Sequence, residues 1–284
     1  MIIALVLLSA LLHATWNALL RLERDKDRML ILAIVVATLF ATAVATVRWR
    51  LGAVPFATLG GLGFTIVAGV FEAMYFGALA RAMERGKLGL VYTISRGGAV
   101  IVVWPLSIAL FAELATPSAL AGSVVVLGGL ALCGIGAGSQ RSGGEQRRSA
   151  IAWAVACAGS IAGYHLAYKA ALLSGSNPSA TFAVSLGLSA VINVVRLGGS
   201  GRRTLVEVVR SRAVRVMVMG VVCGGSFLIL MEALARGGSG YVLTLRNTSV
   251  LFAAGFALTI GERPRRSELV GAVFVAGGAV LMSL

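Results

Sequence analysis

The sequence is a succession of ten apolar runs of about 20 residues, and most of its Lys and Arg residues lie in the short segments between them. An α-helix needs about 20 apolar residues to cross the hydrocarbon core of a bilayer, so each run predicts a transmembrane helix. The connecting segments are too short to form a soluble domain. The predicted spans are 2–20, 29–47, 60–81, 88–111, 118–136, 150–172, 179–196, 214–235, 239–260 and 267–283.

Charge is too scarce to cover the surface of a soluble protein of this length, since only 13% of the 284 residues are charged and 58% are hydrophobic. The first run has no charged residue before Leu12 and therefore lacks the positive n-region of a secretory signal. We expect it to be a retained helix. The predicted fold class is an all-α polytopic membrane protein with ten transmembrane helices.

The second half of the sequence repeats the first. Residues 111–132 align without a gap to residues 260–281, with nine of 22 positions identical, and "ALAR" occurs at 78–81 and again at 233–236. These offsets predict two five-helix repeats. The first repeat spans 1–138, a linker follows at 139–149, and the second repeat spans 150–284.

The positive charges predict that the two repeats are inverted. Five spans per repeat require the second repeat to cross the membrane in the opposite sense to the first. With the N-terminus outside, the inner connections hold 19 of the 25 Lys and Arg residues, and the outer connections hold three. Cytoplasmic connections carry such an excess, so both termini are expected outside. Inverted repeats are typical of secondary transporters, which bind substrate near the midplane between the repeats.

The most specific stretch of the sequence is "LTIGERPRRSELVGAVFVAGGAVLM" at 258–282, with its Gly-Glu-Arg turn and Gly-rich closing helix. With this stretch the chain resembles the EamA-type drug/metabolite transporter superfamily, as two copies of the domain. "AELATPSALAGSVVVLGG" at 112–129 is a looser copy that lacks the Gly and Arg around Glu113. The resemblance implies a ten-helix carrier that exports small metabolites across the cell (inner) membrane.

Three charged residues lie deep in the predicted spans and are candidate binding residues. A charge at a helix centre costs about 2.5–3.5 kcal/mol on insertion scales, so each requires a specific reason. Glu72 faces the protein interior, is protonated, or pairs with a cation from another helix. Arg96 and Arg246 occupy related places in the two repeats and are expected to approach one cavity from opposite sides. Because one carboxylate cannot satisfy two guanidinium groups, one of the two arginines is expected to meet a substrate anion.

The two histidines of the chain begin the same pattern, in which an aromatic residue follows three positions later. His13 and Trp16 recur as His165 and Tyr168, and residues three apart share a helix face. We expect all four side chains to line the cavity, although a lone histidine on an apolar helix is commonly a packing residue.

Structural roles are expected for the other polar and small residues of the spans. Glu113 and Glu262 are expected to cap or shape turns, Lys169 to extend to water, and Glu232 to pair with Arg236. Six glycines are expected to allow close helix packing. They are Gly122, Gly128, Gly129, Gly271, Gly277 and Gly278.

The predicted function is secondary active transport of a small polar metabolite, such as an amino acid or another carboxylate or phosphonate, by alternating access. The alternatives are a membrane-embedded enzyme and a passive channel. The sequence shows no nucleophile–base set, and the three cysteines have no metal-ligand spacing, so no cofactor or metal is expected. The positive charge lies between spans rather than along one face, which argues against nucleic acid. The coupling ion, with a proton as one candidate, and the oligomeric state stay open.

The charge distribution makes a testable prediction about topology. Alkaline phosphatase folds only outside the cytoplasm, so a fusion after Leu284 should be active and a fusion near Arg203 inactive. Both fusions are compared for expression by immunoblot. The opposite activity pattern would contradict the predicted orientation.

Overall fold

The computed structural model describes residues 1–85, 91, 93–137, 144–259, 266–282 and 284. Helices dominate these residues, because a chain in lipid has to satisfy its backbone hydrogen bonds within itself. The helices are α1 Ile2–Arg21, α2 Lys26–Arg50, α3 Leu59–Arg85, α4 Gly98–Phe111, α5 Pro117–Ala137, α6 Gly144–Leu173, α7 Pro178–Arg196, α8 Gly198–Arg236, α9 Ser239–Arg246, α10 Ser249–Thr259 and α11 Arg266–Met282. A π-helical turn at Thr93–Gly97 precedes α4.

Each of the ten predicted spans coincides with helix in the described part of the chain. Seven helices there are long and apolar enough to cross a membrane, and the apolar stretch Pro117–Cys133 lies within α5. The ninth span is divided into α9 and α10, and the tenth is the 17-residue α11. The chain is a polytopic, all-helical membrane protein.

Two segments that the sequence assigned to connections are helical instead. The predicted 197–213 loop lies within α8, which contains one residue with non-helical backbone angles, Arg212 (φ −139°, ψ 28°). Helix α6 begins at Gly144, so residues 144–149 of the predicted linker belong to it, and 138–143 lie outside the described residues. Charged side chains exclude these segments from the apolar core but do not prevent helix formation, which is why hydropathy alone missed them.

The helices pack in a pattern that repeats when each span is exchanged with the one five places later. Helix α3 packs on α6 as α1 packs on α8, and α3 packs on α7 as α2 packs on α8. Likewise α4 packs on α6 as α1 packs on α10. The same exchange of spans leaves the packed pairs α2–α7 and α5–α11 unchanged. The packing thus has the pairing that two related five-span halves would produce.

Ion pairs join the helix ends on one side of the bundle. The buried carboxylate of Glu23, just after α1, accepts hydrogen bonds from Arg212 at 2.5 Å and Arg215 at 2.9 Å. At the start of α2, Asp27 accepts from Arg196 at 2.9 Å. Arginines of the second half are therefore bound to acids of the first half.

A second charged cluster lies at the other end of α2 and α8. Arg236 donates to Glu232 at 2.5 Å, which confirms the predicted pair four residues apart. Arg48 of α2 binds the same carboxylate. The part of α8 from Arg212 to Arg236 is therefore tied to the first half of the chain at both ends.

Close contact between α5 and α11 depends on glycine. A Cβ atom added to Gly122 would lie 2.6 Å from the carbonyl oxygen of Gly278. One added to Gly129 would lie 2.6 Å from the carbonyl oxygen of Gly271. The packing role is confirmed for these four glycines. It is wrong for Gly128 and Gly277, where an added Cβ would meet no described atom within 4 Å. These two occupy other faces of their helices, away from the crossing.

Neighbouring glycines on α5 provide a matched test of this packing. Gly129→Ala should lower the melting temperature of the purified protein, because overpacking costs about 1–3 kcal/mol and the added Cβ meets backbone atoms. Gly128→Ala should leave it unchanged or raise it, since alanine favours a helix over glycine by about 1 kcal/mol. Equal melting temperatures for the two variants would argue against close packing of α5 on α11 at Gly129.

Candidate functional site

Helix α1 holds His13 in a fixed position against α8. Ser9 Oγ donates to the Ser226 carbonyl oxygen at 2.7 Å, and Ser226 Oγ donates back to the Ser9 carbonyl oxygen at 2.9 Å. Asn17 Nδ2 donates to the carbonyl oxygen of His13 at 2.7 Å. The imidazole is 3% exposed and points into the contact between the two halves of the chain.

Three donor groups converge on the imidazole of His13. The Trp16 indole nitrogen lies 3.2 Å from Nδ1 and Nη2 of Arg246 lies 3.1 Å from the same atom. On the opposite side of the ring, Nη2 of Arg96 contacts Nε2. The structure thus brings both deep arginines, one from each half, onto one buried ring.

This arrangement has more donors than the ring can accept. Indole and guanidinium groups only donate hydrogen bonds, and a neutral imidazole has one acceptor nitrogen. Whichever tautomer His13 adopts, at least one donor group faces a ring N–H, and a protonated ring would accept from none of them. The ring therefore cannot accept from all three donor groups at once, and an anion would supply further acceptor atoms.

Arg246 is buried without a carboxylate partner. Its guanidinium carbon lies 4.3 Å above the Phe227 ring, and Nη2 lies 3.4 Å from Ser226 Oγ. Nε has no hydrogen-bond partner, and the residue makes no ion pair within the described part of the chain. The aromatic face stabilises the cation but leaves a buried donor unused.

Both arginines lie where the backbone departs from a regular α-helix. Arg96 belongs to the π-helical turn Thr93–Gly97. Arg246 ends α9, and the amides of Asn247 and Thr248 then bond to carbonyl oxygens three residues earlier, at 3.0 and 3.1 Å. Irregular backbone inside a membrane protein is tolerated where it is buried in protein or lines a cavity, and π-turns occur frequently at functional sites.

A small cavity lies beside the cluster. Its free space amounts to about one water molecule, so the site is closed in this conformation. Asn247 Nδ2 is buried and has no partner among the described residues. The lining residues are His13, Tyr75, Arg96, Ile161, Tyr164, Leu243, Arg246 and Asn247.

Glu72 and Tyr168 form a separate polar cluster. The Tyr168 hydroxyl lies 2.5 Å from Glu72 Oε1 and 2.9 Å from the Ser185 hydroxyl. Glu72 is 1% exposed and makes no ion pair with any residue that the structure describes. The considered pairing of this carboxylate with a cation from another helix therefore does not occur in this conformation. The tyrosine hydroxyl from α6 takes that place.

The second histidine lies apart from the first. His165 Nε2 is 3.2 Å from the carbonyl oxygen of Ser239, at the start of α9, and His165 does not line the cavity. Its Nδ1 is buried without a partner among the described residues. In this conformation the two halves of the repeated pattern have different surroundings.

Lys169 and Glu113 form a buried ion pair near His165. Lys169 Nζ lies 3.7 Å from Glu113 Oε1 and donates to the carbonyl oxygens of Leu234 and Gly237 at 3.1 and 2.9 Å. The prediction that Lys169 extends to water was wrong, because the end of α8 offers it buried acceptors. Glu113 accepts the backbone N–H of Ser239 at 2.6 Å, which confirms a capping role. Glu262 lies outside the described residues.

Sequence reasoning missed several residues around the cavity. Asn247 was overlooked, although the run Asn-Thr-Ser after Arg246 consists of weak helix formers and was a usable signal. Tyr164 lies next to His165 and one turn from Tyr168, and was also identifiable. Tyr75 and Phe227 give no such signal, because an aromatic residue in an apolar span is ordinarily a packing residue.

Comparisons with known proteins agree with this architecture. Residues 148–284 match the profile of the EamA-like transporter family. The second half of the chain is an EamA-like transporter domain. A solved structure described only as "Crystal structure of protein" aligns over 100% of this chain and 96% of its own, with a TM-score of 0.73 and 15% identity. At that identity the likeness shows the fold alone. None of the curated proteins searched matches the chain.

The family match over residues 148–284 confirms the resemblance, and the solved structure has a similar fold over the whole chain. Members of the EamA-like family are membrane transporters of the drug/metabolite transporter superfamily rather than enzymes. Such a transporter takes a small-molecule substrate and works in a lipid bilayer.

The Glu113–Lys169 pair is expected to stabilise the fold. Glu113→Gln leaves a buried ammonium without its counter-charge and should lower the melting temperature, with a cost of about 3 kcal/mol. Lys169→Met should also destabilise the protein, because it leaves Glu113 unpaired. The double variant should lose less stability than the sum of the single losses. Additive losses would show that the two charges do not interact.

Proposed function

We propose that the protein is a secondary active transporter of a small oxyanion, bound between the two halves of the chain by Arg96, Arg246 and His13. The observation that carries this proposal is the convergence of both arginines on one buried imidazole that cannot accept from all its donors. A carboxylate or phosphonate group would accept from both guanidinium groups. Charge-assisted, bidentate contacts of this kind are the strong ones in proteins.

The rest of the cavity favours a small, polar substrate. Asn247 adds a donor, and Tyr75 and Tyr164 add aromatic walls with hydroxyl groups. An amino acid or another carboxylate fits this chemistry, with the anionic group held by the arginines. Trp16 acts through His13, because its indole nitrogen donates to the ring. His165 and Tyr168 contribute from neighbouring layers, through Ser239 and Glu72.

The helix packing, which is similar when each span is exchanged with the one five places later, supports alternating access between inverted repeats. The related pairings α3–α6 and α1–α8 give the protein two similar ways to arrange its halves around a fixed site. Carriers with this construction open to each side of the membrane in turn. We extend the proposal to export across the cell (inner) membrane, with both termini outside, on the basis of the resemblance and the Lys and Arg distribution.

Flux through proteoliposomes separates the carrier from its two alternatives. A carrier shows saturable flux and exchange, a channel shows flux that does not saturate, and an enzyme converts a lipid or solute. The closed cavity and the donor cluster favour a carrier over a continuous aqueous pore. Substrates are first found by a thermal-shift screen against amino acids, organic acids, amines and sugar phosphates.

The arginines are tested by substitutions that keep the charge. Arg246→Lys and Arg96→Lys retain a cation but lose the planar fork of donors. The lysine variant of the arginine that binds the anion should transport about tenfold more slowly, or worse. It should still insert into the membrane and elute as one folded species. Transport of the best screened substrate into proteoliposomes is the measurement.

Arg236→Lys is the matched control, because this arginine pairs with Glu232 at the exposed end of α8. Its transport should equal that of the unmodified protein. Normal transport by both Arg96→Lys and Arg246→Lys would contradict the anion site.

A further inference from the structure

Glu72 is buried in the middle of α3 with only half of its carboxyl group hydrogen-bonded. Oε1 lies 2.5 Å from the Tyr168 hydroxyl, and Oε2 has no hydrogen-bond partner among the described residues. No described cation lies within ion-pair distance. The surroundings of Glu72 therefore differ from those of Glu113, which has Lys169 and two groups of Ser239 as partners.

The partners of Tyr168 allow its hydrogen bonds to run in two ways, depending on the protonation of Glu72. Ser185 Oγ lies 3.1 Å from the carbonyl oxygen of Phe182, to which it donates, since a carbonyl only accepts. Ser185 Oγ is then free to accept from Tyr168, 2.9 Å away. With an ionised Glu72, Tyr168 donates its one hydroxyl hydrogen to the carboxylate; with a protonated Glu72, Tyr168 donates to Ser185 and accepts from the acid.

A protonated Glu72 satisfies this chain of bonds completely. In this arrangement Glu72 donates a hydrogen bond to Tyr168, and Tyr168 donates one to Ser185. Ser185 in turn donates to the carbonyl oxygen of Phe182. Oε2 is then the carbonyl oxygen of a neutral acid. An ionised Glu72 instead leaves negative charge on a buried oxygen that faces no donor, which proteins avoid unless the charge is paired.

We propose that Glu72 carries a proton in this closed conformation and is the proton-binding residue of the transporter. The proton is held by contacts that join three helices, α3, α6 and α7. A movement of α3 against α6 separates Glu72 from Tyr168 and opens the carboxyl group to exchange with water. Neutral Glu72 therefore belongs to the closed state, and the ionised form belongs to a state in which these helices are apart.

The charged and titratable groups around Glu72 predict how its proton is linked to the substrate. They are Tyr75 on α3, Tyr164 and Tyr168 on α6, Cys223 on α8 and Arg246 at the end of α9. Of these, Arg246 bears a positive charge, which favours ionised Glu72. An anion bound to Arg246 cancels that charge and so favours protonation. By linkage, the proton equally strengthens anion binding.

The protonation itself is independent of the anion site, whereas the linkage rests on the function proposed above. Infrared spectroscopy of the protein in lipid vesicles at neutral pH tests the first part. We expect the C=O stretching band of a protonated carboxylic acid, lost in Glu72→Gln and kept in Glu113→Gln. Tyr168→Phe should shift the band to higher frequency, because the acid loses its acceptor. A band that is absent, or unaltered in Glu72→Gln and Tyr168→Phe, would overturn the proposal.

Sulfate binding tests the linkage, because sulfate stays ionised between about pH 6 and pH 8 while histidine and perturbed carboxyl groups titrate there. Affinity should rise about tenfold as the pH falls. In Glu72→Gln it should be independent of pH and as tight as in the unmodified protein at low pH. If sulfate affinity depends on pH in Glu72→Gln as it does in the unmodified protein, the linked proton belongs to another group, such as His13. That result would overturn the linkage between Glu72 and the anion. No sulfate binding by either protein, with the infrared band present, would overturn the anion site but not the proton on Glu72.

Discussion

Burial of the Arg246 guanidinium is the constraint on which the centre of this protein depends. The group stays charged in any surroundings, so the helices around it have to provide what lipid cannot. Phe227 provides a π-face, Ser226 a hydroxyl and His13 a ring nitrogen. These three contacts place α1 and α8 beside the end of α9. The serine pair between α1 and α8 then holds the imidazole where the arginine of the other half also reaches it.

Sequence reasoning predicted where the apolar helices lie because the bilayer requires long apolar segments. It missed the break in the ninth span, since Asn247 and Thr248 interrupt the backbone without a proline or glycine to mark the position. It selected Arg96, Arg246 and Glu72 as candidate binding residues because a charge in an apolar span has an unavoidable cost. Their partners come from distant helices, so local pattern could not show that a tyrosine, rather than an arginine, meets the carboxylate.

The glycines illustrate the same limit at a smaller scale. Sequence marks Gly128 and Gly129 alike, but only one of two adjacent residues on a helix can face a given neighbour. The carbonyl of Gly271 lies against Gly129 and sets α5 in contact with α11. Polar side chains follow this rule too: His13 reaches the cavity, while its repeat counterpart His165 meets the backbone of Ser239. A repeated sequence therefore preserves helix packing more faithfully than it preserves the contacts of individual side chains.

The ion pairs at the ends of the bundle and the buried charges at its centre suit different parts of the proposed transport cycle. Pairs at the bundle ends, such as Arg212 with Glu23 and Arg48 with Glu232, join the halves through arginines that are more than a third exposed. Water reaches the arginine of each pair, although the Glu23 carboxylate itself is buried, so these contacts are screened more than those at the centre. Charges at the centre cannot be hydrated in this way while the cavity is closed. Under the proposed function, the ends can part in turn, while the buried Arg246 at the centre requires His13 or an anion as its partner.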